Sequence, residues 1–398
     1  MANSDLSLTI GVLSEKTSRE HRVALDPSAT KQLVQAGFSV LIEAGCGSDA
    51  SFTDESYLSA GATLAARSEI IASCHALAAL SLPASDVTDA LSSGSAVIGL
   101  LDPLNNLDRV STLAAQGLTL VALELLPRTL SRAQSMDALS SQSSAAGYRA
   151  GIVAAEKFGR YLPMMITASG TATPAKAIVI GTGVAGLQAI ATTKRLGAVV
   201  TGYDVRAASH TEVESLGAKF LTSSVAAGAG EGGYARAMTA EEQAIQQKEL
   251  ADALVAFDII ITTAKVPGRT PPLLVSQDTL AELKPGTVCV DLGASDKGGN
   301  VFGSIDGETF TTANGVVVVG GGNLAADLPA SSSLMYGRNI TAVVKALAPA
   351  GAIVIDPADE VHKAIVVCHS GDVTNAAVRT ALTLDPLDST ETVKAQAN

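Results

Sequence analysis

The stretch from Ala177 to Asp204 constrains the fold of this chain more than any other feature. A short apolar run, Ala177–Ile180, leads into the glycine motif Gly181–Gly186, and a helical pattern follows over Leu187–Leu196. The motif has the spacing G-x-G-x-x-G. Between a strand and a helix, this spacing is typical of a βαβ unit in a parallel sheet that binds a dinucleotide.

Each glycine of the motif has its own expected role. Gly181 permits a tight turn, Gly183 lets the backbone approach a pyrophosphate, and Gly186 lets the helix pack on the strand. Free amides at the start of the helix supply hydrogen-bond donors and partial positive charge for phosphates. The candidate phosphate-binding residues are therefore Gly181, Thr182, Gly183, Val184 and Gly186.

A carboxylate stands where the ribose of such a nucleotide is expected. The next predicted strand, Val199–Tyr203, is followed directly by Asp204, 23 residues after Gly181. Because this carboxylate accepts both ribose hydroxyls and repels a 2′-phosphate, the sequence predicts an NAD(H) site in preference to NADP(H). Val205 and Arg206 complete this candidate site; Arg206 opposes the preference unless it pairs locally or meets the adenosine end.

Composition argues against several classes of protein. The 398 residues are enough for two or three domains of ~100–200 residues each. A net charge of −12, with no run of basic residues, argues against nucleic-acid binding. No apolar run approaches the ~20 residues of a membrane-spanning helix, and the first residues lack a signal-peptide pattern. A cytoplasmic protein without a direct membrane span is expected.

Two series of alternating strands and helices predict an α/β protein. Apolar runs occur first at 8–13, 38–43, 96–100 and 118–123, and again at 177–180, 199–203, 259–263, 288–291 and 316–319. This rhythm predicts two Rossmann-like, doubly wound parallel-sheet domains. The near absence of breakers over 134–161 predicts a long helix that crosses between them.

The end of the chain is expected to return to the first domain. A predicted helix, Leu334–Leu347, precedes strand-like runs at Ala352–Ile355 and Ala364–Cys368, too few elements for a third domain. The expected fold therefore has long crossover helices and an interdomain cleft. Its expected boundaries are 1–136 with 327–382 for the first domain, 137–326 for the NAD(H)-binding domain and 383–398 for a loose polar tail.

Cysteine and histidine spacing does not favour a metal site. The four cysteines are scattered and are expected to be buried thiols. His362 and His369 lie seven residues apart, whereas helical ligands lie three or four apart. Gly293–Gly299 imitates a phosphate-binding loop, but no Lys-Ser/Thr follows its glycines.

Two glycine-rich segments allow more than one interpretation. Residues 226–238 form a loop too long for an ordinary connection, so they are either a lid or a surface loop. Gly320–Asp327 follows a predicted strand and is a hinge, a ligand-binding loop or a structural turn.

The run Arg128–Gln142, RTLSRAQSMDALSSQ, points to a known family. Together with Ser18–Leu25, Gly232–Met238 and Thr262–Gly268, it closely resembles the NAD(H)-binding component of proton-translocating NAD(P) transhydrogenase. The resemblance covers about residues 8–347, and the RAQSMDALSSQ segment distinguishes it from the related alanine dehydrogenases.

The resemblance implies which residues surround the nicotinamide. In this family Arg128, Gln134 and Asp137 hold the carboxamide and ribose side, with Ser140 nearby. Arg128 and Asp137 can pair with each other and still offer donors and acceptors to the amide. The alternative interpretation is a capped helix start with a surface ion pair.

The resemblance also implies a mobile loop that closes over bound nucleotide. The residues implied in this loop and around the nucleotide are Gly233, Tyr234, Met238, Gln246 and Ala264. Lys265 departs from the leucine usual in the family. It either adds a cation near the cofactor or points to solvent.

The implied reaction passes a hydride directly from NADH to NADP⁺. No proton is released at the reacting carbons, so positioning is the catalytic contribution. Only one convincing fingerprint is present, so NADP(H) is expected on a partner, the beta subunit, and the proton path on a membrane-spanning subunit. The chain is expected to be a homodimer that sits peripherally at the inner membrane through these partners.

Two alternative functions stay open at this point. A stand-alone amino-acid dehydrogenase of the alanine dehydrogenase type places a Lys and a His in the first domain, but His75–Pro83 contains no Lys. An NAD(H)-sensing binding protein would keep the nucleotide site and lack the partner subunits.

Overall fold

The structure is a computed structural model that describes residues 8–127, 129–206, 209–225, 239–265, 268 and 270–385. The chain forms two compact units. Unit 1 consists of Met1–Gln142 and Leu328–Asn398, and unit 2 of Ser143–Asp327.

The strands of the described residues are short, mostly three to five residues. In chain order they are β1 (Thr9–Val12), β2 (Ser39–Glu43), β3 (Thr63–Ala65), β4 (Ala76–Ala78), β5 (Ala96–Gly99), β6 (Thr119–Ala122), β7 (Met165–Thr167), β8 (Gly170–Ala172), β9 (Lys176–Ile180), β10 (Val199–Tyr203), β11 (Lys219–Phe220), β12 (Ile259–Thr262), β13 (Val288–Asp291), β14 (Thr309–Thr311), β15 (Val317–Gly320), β16 (Val366–His369) and β17 (Asp372–Val373).

Helices connect most of these strands. They are α1 (Pro27–Gln35), α2 (Asp54–Ser59), α3 (Arg67–Ser73), α4 (Ser85–Thr88), α5 (Leu107–Ala115), α6 (Ala138–Lys157), α7 (Val184–Arg195), α8 (Ser209–Ser215), α9 (Ala240–Leu254), α10 (Gln277–Glu282), α11 (Pro329–Leu347), α12 (Glu360–Ile365) and α13 (Ala376–Ala381).

Unit 1 contains an eight-stranded sheet in the order β17-β16-β6-β5-β4-β1-β2-β3. Strands β1 to β6 are parallel, while β16 and β17 extend the edge in antiparallel fashion. The order reverses between β1 and β4, and this reversal is the topological switch point of a doubly wound fold. Since β16 pairs with β6, the C-terminal segment belongs to this sheet.

Unit 2 contains a seven-stranded sheet in the order β11-β10-β9-β12-β13-β15-β14. All pairs are parallel except β14 with β15. Strands β12 and β13 are buried along their whole length, as expected for a sheet covered by helices on both faces. The switch point lies between β9 and β12. The predicted fold class, two Rossmann-like parallel-sheet domains, is confirmed.

Small residues bring the unit 2 part of α6 into close contact with α7. A Cβ atom at Gly147 of α6 would lie 2.0 Å from the carbonyl oxygen of Ala185 in α7, and one at Gly151 would lie 2.9 Å from the Thr192 side chain. Because these two glycines have no side chain, the backbone of α6 can pack directly against α7.

The first strand predicted after Leu347 is wrong. The sequence predicts a strand at Ala352–Ile355, but this segment forms no ladder in the structure. Ile353 and Ile355 instead pack, half-buried, against the core of unit 1. These two isoleucines are apolar because their side chains pack on the core, although their backbone pairs with no strand.

Cys46, Cys74, Cys289 and Cys368 are free and buried, as predicted. The part of the chain that the structure describes contains no group of three or more His, Cys, Asp or Glu suited to a metal ion. Of the described helices, none has both the length and the apolar character needed to cross a bilayer.

Candidate dinucleotide-binding site

The glycine motif forms the turn from β9 into α7 at the switch point of unit 2. Gly181 has φ +87°, and a Cβ atom there would lie 2.5 Å from Oγ1 of Thr263. A Cβ atom at Gly186 would lie 1.9 Å from the carbonyl oxygen of Gly181. Both glycines are therefore required by the fold itself.

Gly183 differs from the other two glycines. Its φ is −74°, which any residue can adopt, and a Cβ atom there would have no neighbour within 4 Å. Gly183 is exposed and Val184, the first residue of α7, is half-buried. Open space directly at the start of a 12-residue helix fits the approach of a phosphate group to the backbone.

Asp204 follows β10 and is tied to the glycine turn. Its Oδ2 accepts hydrogen bonds from the amide of Thr182 at 2.7 Å and from the hydroxyl of Thr182 at 3.1 Å. Arg206 donates to Oδ1 from its amide at 2.8 Å and from Nε at 3.0 Å. Arg206 thus pairs locally, one of the two alternatives that the sequence allowed, and Val205 between them is exposed.

These contacts keep Asp204 ionised. Burial acts to raise the pKa of Asp204, but hydrogen bonds from Arg206 and Thr182 outweigh it and the pKa is lowered. The same pair raises the pKa of Arg206. Asp204 therefore carries a negative charge, which the Arg206 guanidinium at 3.0 Å partly neutralises.

The end of β12 forms the other side of the switch point. Thr263 donates its hydroxyl to the carbonyl oxygen of Gly181 at 2.8 Å. The neighbouring residue Ala264 exchanges two hydrogen bonds with the side chain of Asn300. Two buried side chains, Asn300 and Asp291, support this edge, and no pattern in the sequence singles out either of them.

Lys265 does not follow either predicted alternative fully. Its side chain is exposed, yet Nζ donates to the carbonyl oxygen of Gly322 at 3.1 Å. Gly322 lies in the turn after β15, where a Cβ atom would be 2.2 Å from the carbonyl oxygen of Ala294. The Gly320–Asp327 segment is accordingly a tightly packed turn followed by a 3-10 helix over Leu324–Asp327.

Three of the predicted nicotinamide-side residues lie at the start of α6 in unit 1. Gln134 is exposed in a 3-10 helix over Ser131–Met136. Asp137 precedes α6 and its Oδ1 accepts the amide of Ser140 at 2.8 Å, so it caps the helix. Both Asp137 and Ser140 are half-buried.

Four predicted site residues lie outside the described residues: Arg128, Gly233, Tyr234 and Met238. The predicted pairing of Arg128 with Asp137 and the predicted lid over 226–238 therefore stay predictions. Gln246 lies half-buried on α9. The helix begins with a capping box between Thr239 and Glu242.

The switch point of unit 1 is arranged differently. The carboxylate of Glu15, just after β1, accepts the amides of Leu80 at 2.7 Å and Ser81 at 3.1 Å, which follow β4. Burial raises the pKa of Glu15 to about 7 despite these hydrogen bonds. The backbone amides at this edge of the sheet thus already donate to a carboxylate of the protein itself.

Comparisons with known proteins identify the family of this chain. The family model described as "Alanine dehydrogenase/PNT, N-terminal domain" matches residues 11–146, and "Alanine dehydrogenase/PNT, C-terminal domain" matches residues 150–376. A protein of Rickettsia prowazekii, named as the first part of NAD(P) transhydrogenase subunit alpha, is 39% identical over 380 residues. The match covers 94% of this chain and 97% of that protein. The corresponding Rhodospirillum rubrum protein is 42% identical over 342 residues, covering 84% of this chain and 88% of the relative.

A solved structure gives the same result. The transhydrogenase from Sinorhizobium meliloti superposes with a TM-score of 0.81 at 40% identity, covering 92% of this chain and 99% of the other. The resemblance predicted from the Arg128–Gln142 run is confirmed. On these matches over both of its units, the chain belongs to the alanine dehydrogenase/PNT family.

Proposed function

We propose that this chain binds NAD(H) at the switch point of unit 2 and passes hydride from NADH to NADP⁺ held on a partner subunit. The observation that carries the proposal is the open space at Gly183 between two glycines that the fold itself requires. Because the turn is packed at Gly181 and Gly186 but open at Gly183, it leaves room for a pyrophosphate at the start of α7.

The ribose side supports NAD(H) as the nucleotide. Asp204 is ionised and lies against the glycine turn through Thr182. To accept the ribose hydroxyls, the carboxylate has to share or exchange the hydrogen bonds that Arg206 now donates. Arg206 is therefore expected to move when the nucleotide binds.

We assign the nicotinamide end to Arg128, Gln134, Asp137 and Ser140, as the family resemblance implies. NADH supplies the hydride in this reaction. The protein has to orient the ring and exclude water, because the direct transfer needs no general acid or base. This requirement agrees with the sequence between Ser68 and Asp108, which contains no Lys or Arg and a single His, His75.

The proposed partners are an NADP(H)-binding beta subunit and a membrane-spanning subunit that supplies the proton path. In this proposal the chain lies in the cytoplasm, and these two partners hold it at the surface of the inner membrane. A second copy of the chain is the third proposed partner. Support comes from the β7–β8 hairpin region, where Tyr161, Met164 and Ile166 are 63%, 60% and 75% exposed. An exposed apolar hairpin of only two strands is typical of a contact surface.

The test is to measure NADH binding and NADP⁺ reduction with the chain alone and again after the NADP(H)-binding component is added. The chain alone should bind NADH but reduce no NADP⁺ analogue. Addition of the NADP(H)-binding component should give NADH-dependent reduction. Alanine oxidation by the isolated chain would instead support the alanine dehydrogenase alternative, and NADH binding without activity beside any partner would support the sensor.

A further inference from the structure

The side chain of Asn300 lies beside the carboxyl end of β12, where it contacts the backbone of Ala264. It is fully buried, with 0% of its surface exposed. Its Oδ1 accepts the amide of Ala264 at 3.0 Å, and its Nδ2 donates to the carbonyl oxygen of Ala264 at 2.9 Å. A second Nδ2 hydrogen bond reaches the carbonyl oxygen of Pro272 at 2.8 Å. Asn300 therefore holds both backbone polar groups of one residue and ties it to Pro272.

The position of Asn300 is itself fixed. Its carbonyl oxygen accepts the amides of Leu274 at 2.8 Å and Val275 at 2.9 Å. The neighbouring Val301 donates its amide to the buried carboxylate of Asp291 at 3.0 Å. The side chain thus projects from a backbone that is anchored on two sides.

This arrangement explains the glycine-rich segment that imitates a phosphate-binding loop. A Cβ atom at Gly293 would lie 2.4 Å from Oδ1 of Asn300, and one at Gly299 would lie 2.1 Å from Oδ2 of Asp291. The glycines of this segment therefore make room for two protein side chains and do not surround a phosphate.

Ala264 is the residue through which Asn300 reaches the switch point. It follows β12 and lies next to Thr263, whose hydroxyl contacts the carbonyl oxygen of Gly181. In open α/β sheets the ligand binds outside the carboxyl ends of the two strands at the switch point. The backbone conformation of Ala264 is therefore part of the wall of the proposed NAD(H) site.

We propose that Asn300 is a positioning residue for the dinucleotide. It fixes the backbone of Ala264 against the glycine turn and so sets the affinity for the adenosine diphosphate half of NAD(H). This inference rests on the proposed NAD(H) site at the switch point of unit 2.

Asn314 offers a matched control in the same unit. Its Nδ2 also donates to backbone carbonyls, those of Leu280 at 3.0 Å, Ala281 at 3.2 Å and Leu283 at 3.1 Å. It precedes β15 and so lies at the amino edge of the sheet, opposite the glycine turn. Its loss removes a comparable clamp without touching the proposed site.

The experiment measures NADH and ADP-ribose affinity by fluorescence titration and competition. The proteins are wild type, Asn300→Ser, Asn300→Ala and Asn314→Ala, each at a temperature where circular dichroism shows it folded. We expect both Asn300 variants to raise the Kd for NADH and for ADP-ribose about tenfold, by the same factor. The emission maximum of saturating NADH should not change, and Asn314→Ala should stay within twofold of wild type.

Two results overturn the inference and are distinguishable. If wild type binds NADH and the folded Asn300 variants bind it within twofold, Asn300 has a purely structural role. If wild type binds no NADH, the proposed function fails, and this inference fails with it.

Discussion

Among individual residues, the three glycines of the fingerprint are present for different physical reasons. Gly181 and Gly186 face protein atoms that leave no room for a Cβ, at 2.5 Å and 1.9 Å respectively. Gly183 faces open space. Only at Gly183 is the requirement for glycine expected to come from the ligand.

This difference predicts opposite behaviour of two alanine substitutions. Gly183→Ala should change the free energy of unfolding by only ~0.5 kcal/mol, as for other exposed sites. It should nevertheless raise the Kd for NADH at least tenfold, which corresponds to ~1.4 kcal/mol, because the methyl group occupies the phosphate position. Titration calorimetry and urea unfolding measure the two quantities.

Gly186→Ala is the matched control. Its methyl group would meet the carbonyl oxygen of Gly181, so we expect a loss of ~3 kcal/mol or more in stability. A Gly183→Ala variant that binds NADH like wild type would contradict the proposed phosphate position.

A pH effect is expected from Glu15. Its pKa is raised to about 7 in the folded protein, chiefly by burial, against about 4.3 when unfolded. The folded state therefore binds an extra proton between about pH 4 and pH 7. The resulting stability is fully present below about pH 4 and is lost as the pH rises through 7. Replacing Glu15 by Gln removes the effect.

The Glu15→Gln variant should gain stability relative to wild type as the pH rises from 5 to 8. Because the side chain is partly exposed, we expect a relative gain of only ~1 kcal/mol. Urea unfolding at several pH values measures it, with exposed Glu55→Gln as the control. A constant difference between Glu15→Gln and wild type would refute the assigned pKa shift.

The sequence predicts the residues of the site that form a local pattern and misses those that act over long separations. Gly181, Gly183, Gly186 and Asp204 follow from one βαβ signature. Asn300 reaches Ala264 across 36 residues, and no local spacing relates the two. Such pairs become visible only when the strand order is known.

Among the helices, α6 is preceded by a residue, Asp137, that has two roles to separate. Asp137 caps the helix through the amide of Ser140, as the structural alternative predicts. The resemblance also places it at the nicotinamide. A cap requires only a hydrogen-bond acceptor, whereas a partner for Arg128 requires the charge.

The substitution Asp137→Asn separates these roles. Asn caps helices about as well as Asp, so stability should change by no more than ~0.5 kcal/mol. Hydride transfer in the reconstituted system should slow at least tenfold, or ~1.4 kcal/mol, with little change in the Kd for ADP-ribose. Asp137→Ala, which loses the cap, should also cost ~1 kcal/mol in stability. Full activity of Asp137→Asn would leave only the capping role.

Strands and helices with strong apolar runs are predictable, and weak ones are not. All five predicted strands of unit 2 are present within one residue of their predicted bounds. Strands β3 and β4 are not predicted, because each has only three residues, drawn from Ala, Leu and Thr, and this is too few to show an alternating or continuous apolar pattern. The run Ala364–Cys368 is predicted as one strand, but it contains the end of α12 and most of β16.

Across the chain as a whole, two units whose first five strands share one order have different switch points. Unit 2 has a glycine turn with open space at Gly183. In unit 1 the amides of Leu80 and Ser81 already bind the carboxylate of Glu15. This difference favours one dinucleotide for each chain, so that the second nucleotide of the proposed reaction has to come from a partner.

The exposed hairpin of unit 2 predicts how two copies associate. Ile166→Asp places a charge on its most exposed apolar residue and should shift the protein from dimer to monomer in light-scattering measurements. Val354→Asp, at a 55% exposed position of unit 1, is the control and should leave the mass unchanged. A wild-type protein that is monomeric at micromolar concentration would contradict the proposed dimer.

The proposed function depends on hydride passing straight from one nicotinamide ring to another, one of them held by this chain. An isotope experiment follows that hydride, with NADH that carries deuterium at the transferred position of C4, the NADP(H)-binding component and NADP⁺ in ordinary water. Ring-to-ring transfer predicts that the deuterium appears at C4 of the NADPH formed and that none appears in the solvent. Unlabelled NADPH with deuterium in the water would contradict it.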